Sequence, residues 1–412
     1  MKKLLYKRKD IKFIIMSATV NLDLFRNYYK SDQFKFGEVD AGEKPMYPIK
    51  EYWLEKDKPS TDWKKDAVTR VVNILKTTDS GDILVFITAS GDGITMCEDL
   101  RSQTKDLQKS ICLILHGGTS KDEQDFAINS EKYKTHPNGP YERKIVMSTN
   151  VAESSLTVEG IVYVVDCGLE YSDSYEPLRM CRSLKQGWIS KSAVKQRKGR
   201  AGRTQPGVCY HLYSEDQFEK FKDYPIPEIQ KTCLDSNVLD FFGLDYINNI
   251  NDVNNLFDEF IQPPSEQFRN DAYLKLYALN AITSTNKEAV ITDLGKSLSK
   301  FRSLNPNIAK CILSSYYLGC LYELTNIFTL ASLIDNKLDE LFVKFRPKGK
   351  LNKKDMNKEL IQYENIKKKL YDNDGDYITL LNIYEKYREL SRKNSKSFAE
   401  KWCKDNFIKY KK

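Results

Sequence analysis

Short apolar runs punctuate the first half of the chain: Ile11–Met16, Ile83–Ile87, Ile111–Leu115, Ile145–Met147 and Ile161–Val165. They are rich in β-branched residues and lack two-residue alternation, which predicts parallel strands covered on both faces. Polar, helix-compatible stretches such as Gly91–Asp106 and Lys121–Tyr133 separate them. Strand and helix in repetition predict an α/β sheet over residues 35–215. Past about Ser214 the strand signal stops. Leu234–Phe242, Phe268–Ile282, Leu294–Phe301, Ile308–Leu333, Leu351–Leu370 and Tyr377–Leu390 read as helices, punctuated by Pro225/Pro227, Pro263/Pro264 and Pro306.

Composition narrows the classes. The 412 residues are 41% hydrophobic and 30% charged, as in a soluble globular protein of two to four domains. The net charge of +8 is concentrated, because Lys344–Lys369 holds ten Lys/Arg against three Asp/Glu. Such a stretch either tracks phosphates or forms a solvated helix face. Nine cysteines without a C-x-x-C and only three histidines exclude zinc spacing and point to reduced, buried thiols. There is no secretory leader pattern. Cys311–Ile334, the one membrane suspect, carries Glu323, Asn326 and a break at Gly319, so a pair of buried core helices is expected, without a span. An intracellular setting follows, with cytoplasm, nucleus and a viral origin all open.

The densest chemistry lies in Gln196-Arg197-Lys198-Gly199-Arg200-Ala201-Gly202-Arg203. On a helix, Gln196, Arg200 and Arg203 fall at i, i+4 and i+7 and share one face. Gly199 and Gly202 each cost about 1 kcal/mol in a helix interior, so a close backbone approach is implied. Two guanidinium forks aimed at one anion are the chemistry of an arginine finger, and a basic helix start is the alternative. Small hydroxyl residues also follow two of the apolar runs, at Ser17-Ala18-Thr19 and Thr149-Asn150. They serve either as turn formers or as ligand contacts at strand ends.

In this order and spacing the segments resemble the DEAH/RHA group of superfamily 2 helicases. Ser17-Ala18-Thr19 is similar to the family's motif III, Ile83–Ser90 to motif IV, Thr149–Thr157 to motif V and Gln196–Arg203 to motif VI. Gln262-Pro263-Pro264 with the helix after it resembles the winged-helix domain. Leu294-Gly295-Lys296, Asp374–Asn382 and Trp402-Cys403 resemble the helical ratchet domain. The resemblance implies a remnant of the first RecA-like domain at 1–34, a second RecA-like domain at 35–215, a winged helix at 216–283 and a ratchet domain at 284–412, with no OB-fold.

By position, the resemblance implies that Gln196, Arg200 and Arg203 contact the triphosphate, with Gly199 beside it. Thr149, Asn150 and Thr88 would hold nucleic-acid backbone, and Ser17 and Thr19 would couple the two sites. Glu159 stands where the family has Asp near the ribose, and Ala89 replaces a motif IV glycine. Ile128 occupies the place of the adenine-stacking aromatic, with Phe126 two positions away. Tyr171–Lys191 takes the place of a strand-separating hairpin, with an ordinary surface hairpin as the alternative.

No G-x-x-x-x-G-K-[ST] segment and no Asp-Glu-Ala-His occur in the chain. ATP with Mg²⁺ is therefore expected only when a P-loop domain, on another polypeptide, completes the site. The expectation is the C-terminal part of an ATP-dependent RNA helicase that moves 3′ to 5′, inactive alone, with RNA as partner and no membrane. A non-catalytic module that binds RNA or a partner without ATP turnover is the alternative.

Overall fold

The computed structural model describes residues 2–17, 21–30, 35–39, 46–56, 62–103, 109–153, 156–302, 304–333, 338–343 and 353–409. The described residues form eight strands: β1 (Ile49–Leu54), β2 (Asp82–Phe86), β3 (Ser110–Leu115), β4 (Arg143–Ser148), β5 (Ile161–Asp166), β6 (Leu169–Glu176), β7 (Cys181–Trp188) and β8 (Gly207–Ser214). Six form one sheet in the order β1-β8-β5-β2-β4-β3, with every pairing parallel. All residues of β2 and β4 are buried, because helices cover both faces. On one face Ile83, Val85 and Ile87 pack with Val68, Val71, Met96 and Leu100 from the helices Trp63–Thr77 and Ser90–Gln103. On the other, Leu84 and Phe86 pack with Ala127, Ala152, Val158 and Ala201. The α/β expectation is met.

Two of its details are corrected. Ile11–Met16 is not a strand: it runs without regular structure, with Ile14 77% and Met16 89% exposed. An apolar run becomes a strand only through neighbours that satisfy its backbone, and no described strand pairs with it. The thiols are not all reduced either. Cys97 and Cys112 form a disulfide across a Cα–Cα distance of 5.8 Å, joining the helix Ser90–Gln103 to β3.

β6 and β7 make a separate antiparallel hairpin with eight paired positions. Its turn is the short 3-10 segment Pro177–Arg179 followed by Met180 in the left-handed region at φ 49°. The expected hairpin over Tyr171–Lys191 is thus present.

The chain divides into two compact units, Met1–Leu234 with Asn254–Ala272, and Asp235–Val253 with Tyr273–Lys412. The second is helical. Ile308–Leu333 splits into the helices Pro306–Leu318 and Leu321–Leu333, because Gly319 takes φ +74° and closes the first. They are less buried than expected, with Tyr316, Tyr317 and Leu318 each more than two-thirds exposed. Its core gathers Ala331, Phe342, Leu380, Ile383 and Cys403. In the lysine-rich region, residues 344–352 lie outside the described residues. Lys367, on the helix Lys353–Leu370, is held by Asp339 at 2.9 Å and lies over the Phe342 ring. No described helix is long and apolar enough to cross a membrane.

Candidate functional site

The helix Lys191–Lys198 starts at Ser190, whose Oγ accepts the Ala193 amide at 3.2 Å, and closes at Gly199. Gln196 lies in its last turn, but Arg200 and Arg203 lie beyond its end. The single helical face expected from the spacing is therefore corrected. Beyond the helix the chain runs beside the start of β1, where the Tyr47 amide donates to the Gly202 carbonyl at 3.3 Å, and then enters β8. A Cβ on Gly202 would sit 2.7 Å from Ile49 Cγ1 and 2.8 Å from the Tyr47 carbonyl oxygen, so only glycine fits. At Gly199 a Cβ would meet the Lys195 carbonyl oxygen at 3.3 Å.

The three arginines of this segment have different surroundings. Arg197 is fully buried: its Nε donates to Glu153 and one terminal nitrogen to Asp166, each at 2.9 Å, and it covers the Phe86 ring. Burial alone would lower its pKa, but Asp166 and Glu153 outweigh that and raise it. Arg200, 7% exposed, donates among the described residues to the carbonyls of Glu153 and Leu156, and its buried Nε has no hydrogen-bond partner. Arg203 is exposed and donates to the Thr157 hydroxyl at 2.9 Å. Among the described residues neither Arg200 nor Arg203 is paired with a carboxylate. Burial, and then the like charge of Arg203, pull Arg200 down to about 10. Two adjacent cations served only by neutral acceptors form an anion-receptive site.

Other candidate residues fall at two edges of the sheet. Glu159 precedes β5 and so lies at the edge where the strands begin, with its amide donating to the Ile128 carbonyl at 2.8 Å. Its carboxylate accepts from the Ser130 amide and hydroxyl at 3.3 Å. Phe126, on the helix Lys121–Ile128, packs edge-on against His136 at 4.9 Å, and Ile128 is half-buried. Thr149 and Asn150 follow β4 at the opposite edge, a strand length of about 20 Å away. The Thr149 amide donates to the Leu115 carbonyl, and exposed Asn150 opens the 3-10 turn Asn150–Ala152. Thr88 follows β2 but is buried, its hydroxyl donating to Asp92 at 2.6 Å. Ser17 is exposed, and Thr19 lies outside the described residues.

A buried polar network escaped the sequence reading. The Tyr213 hydroxyl donates to Asp166 at 2.8 Å and, having one proton, must accept from His211 Nδ1 at 3.0 Å. His211 Nε2 meets the Glu51 carboxylate at 3.1 Å, and Lys198 binds the same carboxylate. Both ring nitrogens therefore donate, and His211 is an imidazolium. Burial opposes that charge, but the surrounding acidic and hydrogen-bonding partners push the pKa up to about 11. The signal available was the polar Glu51 and His211 inside otherwise apolar segments.

With the folded pKa above the usual value of about 6.5, His211 adds stability that is complete below pH 6.5 and is withdrawn as pH rises. Urea midpoints measured between pH 6.5 and 9.5 should fall more steeply for the parent chain than for His211→Gln, by at most about 1.4 kcal/mol per pH unit. Identical slopes would contradict the imidazolium assignment.

The parallel sheet thus carries an arginine pair bonded to Glu153, Leu156 and Thr157, and a hydroxyl–amide turn after β4. Residues 64–205 match the Helicase conserved C-terminal domain. The mouse ATP-dependent RNA helicase DHX33 is 31% identical over 405 residues, covering 97% of this chain and 52% of the relative. The Schizosaccharomyces pombe pre-mRNA-splicing factor ATP-dependent RNA helicase prp22 is 32% identical over 406 residues, covering 98% and 31%. The crystal structure of the Escherichia coli DEAH/RHA helicase HrpB superposes with a TM-score of 0.61 at 23% identity, over 79% of this chain and 38% of that one. The domain match and the relatives named ATP-dependent RNA helicases along nearly all of the chain support a C-terminal region of the DEAH/RHA-type superfamily 2 helicases. Its fold is the RecA-like helicase sheet followed by a helical region. The chain spans about half the length of DHX33, and less of prp22.

Proposed function

We propose that the chain works within an ATP-dependent RNA helicase, supplying Arg200 and Arg203 as fingers to ATP held by a P-loop RecA-like domain. The observation that carries this is the charge state of the arginine pair. Arg197 has two carboxylates, whereas among the described residues Arg200 and Arg203 have none, and Arg200 Nε is unsatisfied. The donor set fits the phosphate end of a nucleotide, with Gln196 in the helical turn before it. Mg²⁺ and the attacking water belong to the P-loop domain's carboxylates. ATP, when bound, supplies the phosphoryl bond whose cleavage drives movement; this chain's part is to neutralise charge from the facing side.

Thr149 and Asn150 hold the strand through hydroxyl and amide, contacts that position backbone without reading bases. The same reading makes β6–β7 the strand-separating hairpin, gives 3′-to-5′ movement, and assigns 216–283 to a winged helix and 284–412 to a ratchet domain. Fluorescence anisotropy with single-stranded oligonucleotides tests the RNA contact. The Thr149→Ala/Asn150→Ala variant should bind oligouridylate and oligoadenylate equally more weakly, by about 10-fold, from two lost hydrogen bonds. The salt dependence should not change, because neither residue is charged. Unchanged affinity, or a loss confined to one base, would count against the assignment.

A further inference from the structure

We propose that Glu153 is the positioning residue for Arg200, tying that finger to the turn at Thr149 and Asn150; this rests on the function proposed above. Three contacts converge on Glu153. Its amide donates to the Asn150 carbonyl at 2.9 Å, closing the 3-10 turn that Asn150 opens. Its carbonyl accepts from the Arg200 guanidinium, and its carboxylate accepts from Arg197 Nε at 2.9 Å. Ala152, inside the turn, is fully buried against the sheet and anchors the turn to the core.

The two carboxylates on Arg197 come from different places. Asp166 reaches it at 2.9 Å from β5 and also accepts from the Tyr213 hydroxyl beside His211. Glu153 adds a bond that fixes its own backbone, and that backbone holds Arg200. A displacement of Asn150 by a bound strand therefore reaches Arg200 through one hydrogen-bonded turn.

Hydrogen exchange on the full chain, with and without a short single-stranded oligouridylate, tests this apart from ATP turnover. In the parent chain the oligonucleotide should slow amide exchange several-fold at 150–153 and also at 200–203. Glu153→Gln should keep the first effect and lose the second, and Glu153→Asp, which retains the charge, should recover part of it. Asp166→Asn removes the other carboxylate from the same guanidinium and should lower stability while keeping both effects. If Asp166→Asn and Glu153→Gln lose the second effect alike, Glu153 is merely structural and the proposal is overturned. Protection at 150–153 alone in the parent chain overturns the proposal and leaves the helicase function standing. An absence of binding and of protection overturns both.

Discussion

Alanine at Arg200 is expected to lower RNA-stimulated ATP turnover by about 10³-fold or more when the chain acts with a P-loop domain, as for other arginine fingers. The expectation follows from the state of the side chain. Its guanidinium is buried beside Arg203, served among the described residues by carbonyls and pulled down to about 10, so an anion relieves both the burial and the repulsion. Arg200→Lys should recover little, because an ammonium cannot present the planar fork. Binding of oligouridylate should change far less, since Thr149 and Asn150 keep their own contacts with the strand. Steady-state ATPase against RNA concentration checks this, and a loss below about 10-fold would remove Arg200 from the role of finger.

Arg197→Met is expected to cost about 3–5 kcal/mol of stability, the usual result of removing one partner from a buried ion network. The substitution leaves Glu153 and Asp166 facing each other, with Asp166 fully buried. Neutralising them as well, in Arg197→Met/Glu153→Gln/Asp166→Asn, should restore much of the loss, because the cost lies in unpaired buried charge. Urea midpoints of the two variants, followed by near-UV circular dichroism, decide it. Equal destabilisation of the single and triple variants would show that packing of the Arg197 stem over Phe86 is what matters.

The contrast between Arg197 and Arg200 also marks how far the sequence could be read. Both are arginines of one octet, three positions apart, and spacing singled out Arg200 without placing Arg197 in a buried network. What distinguishes them is which carboxylates the fold brings near: Glu153 comes from the turn after β4 and Asp166 from the end of β5. The fully buried strands β2 and β4 and the nearly buried β5 were legible because burial on both faces makes an apolar run. β1 and β8 were missed as individual strands because Glu51 and His211 interrupt the apolar pattern and find their partners only across the pairing. Conversely, Ile11–Met16 carries a strand's composition but has no described neighbour to pair with. The close approach implied at Gly202 is real, made by Ile49 and Tyr47, but the helix expected to carry it ends at Lys198, because those neighbours belong to a distant stretch of the chain.

The most direct test of the central claim is ATP hydrolysis by the chain alone and mixed with a polypeptide carrying a P-loop RecA-like domain, each with single-stranded RNA. The expected result is background turnover from either component alone and RNA-stimulated turnover from the mixture. Robust hydrolysis by the chain alone, or none from a mixture shown to associate, would contradict it.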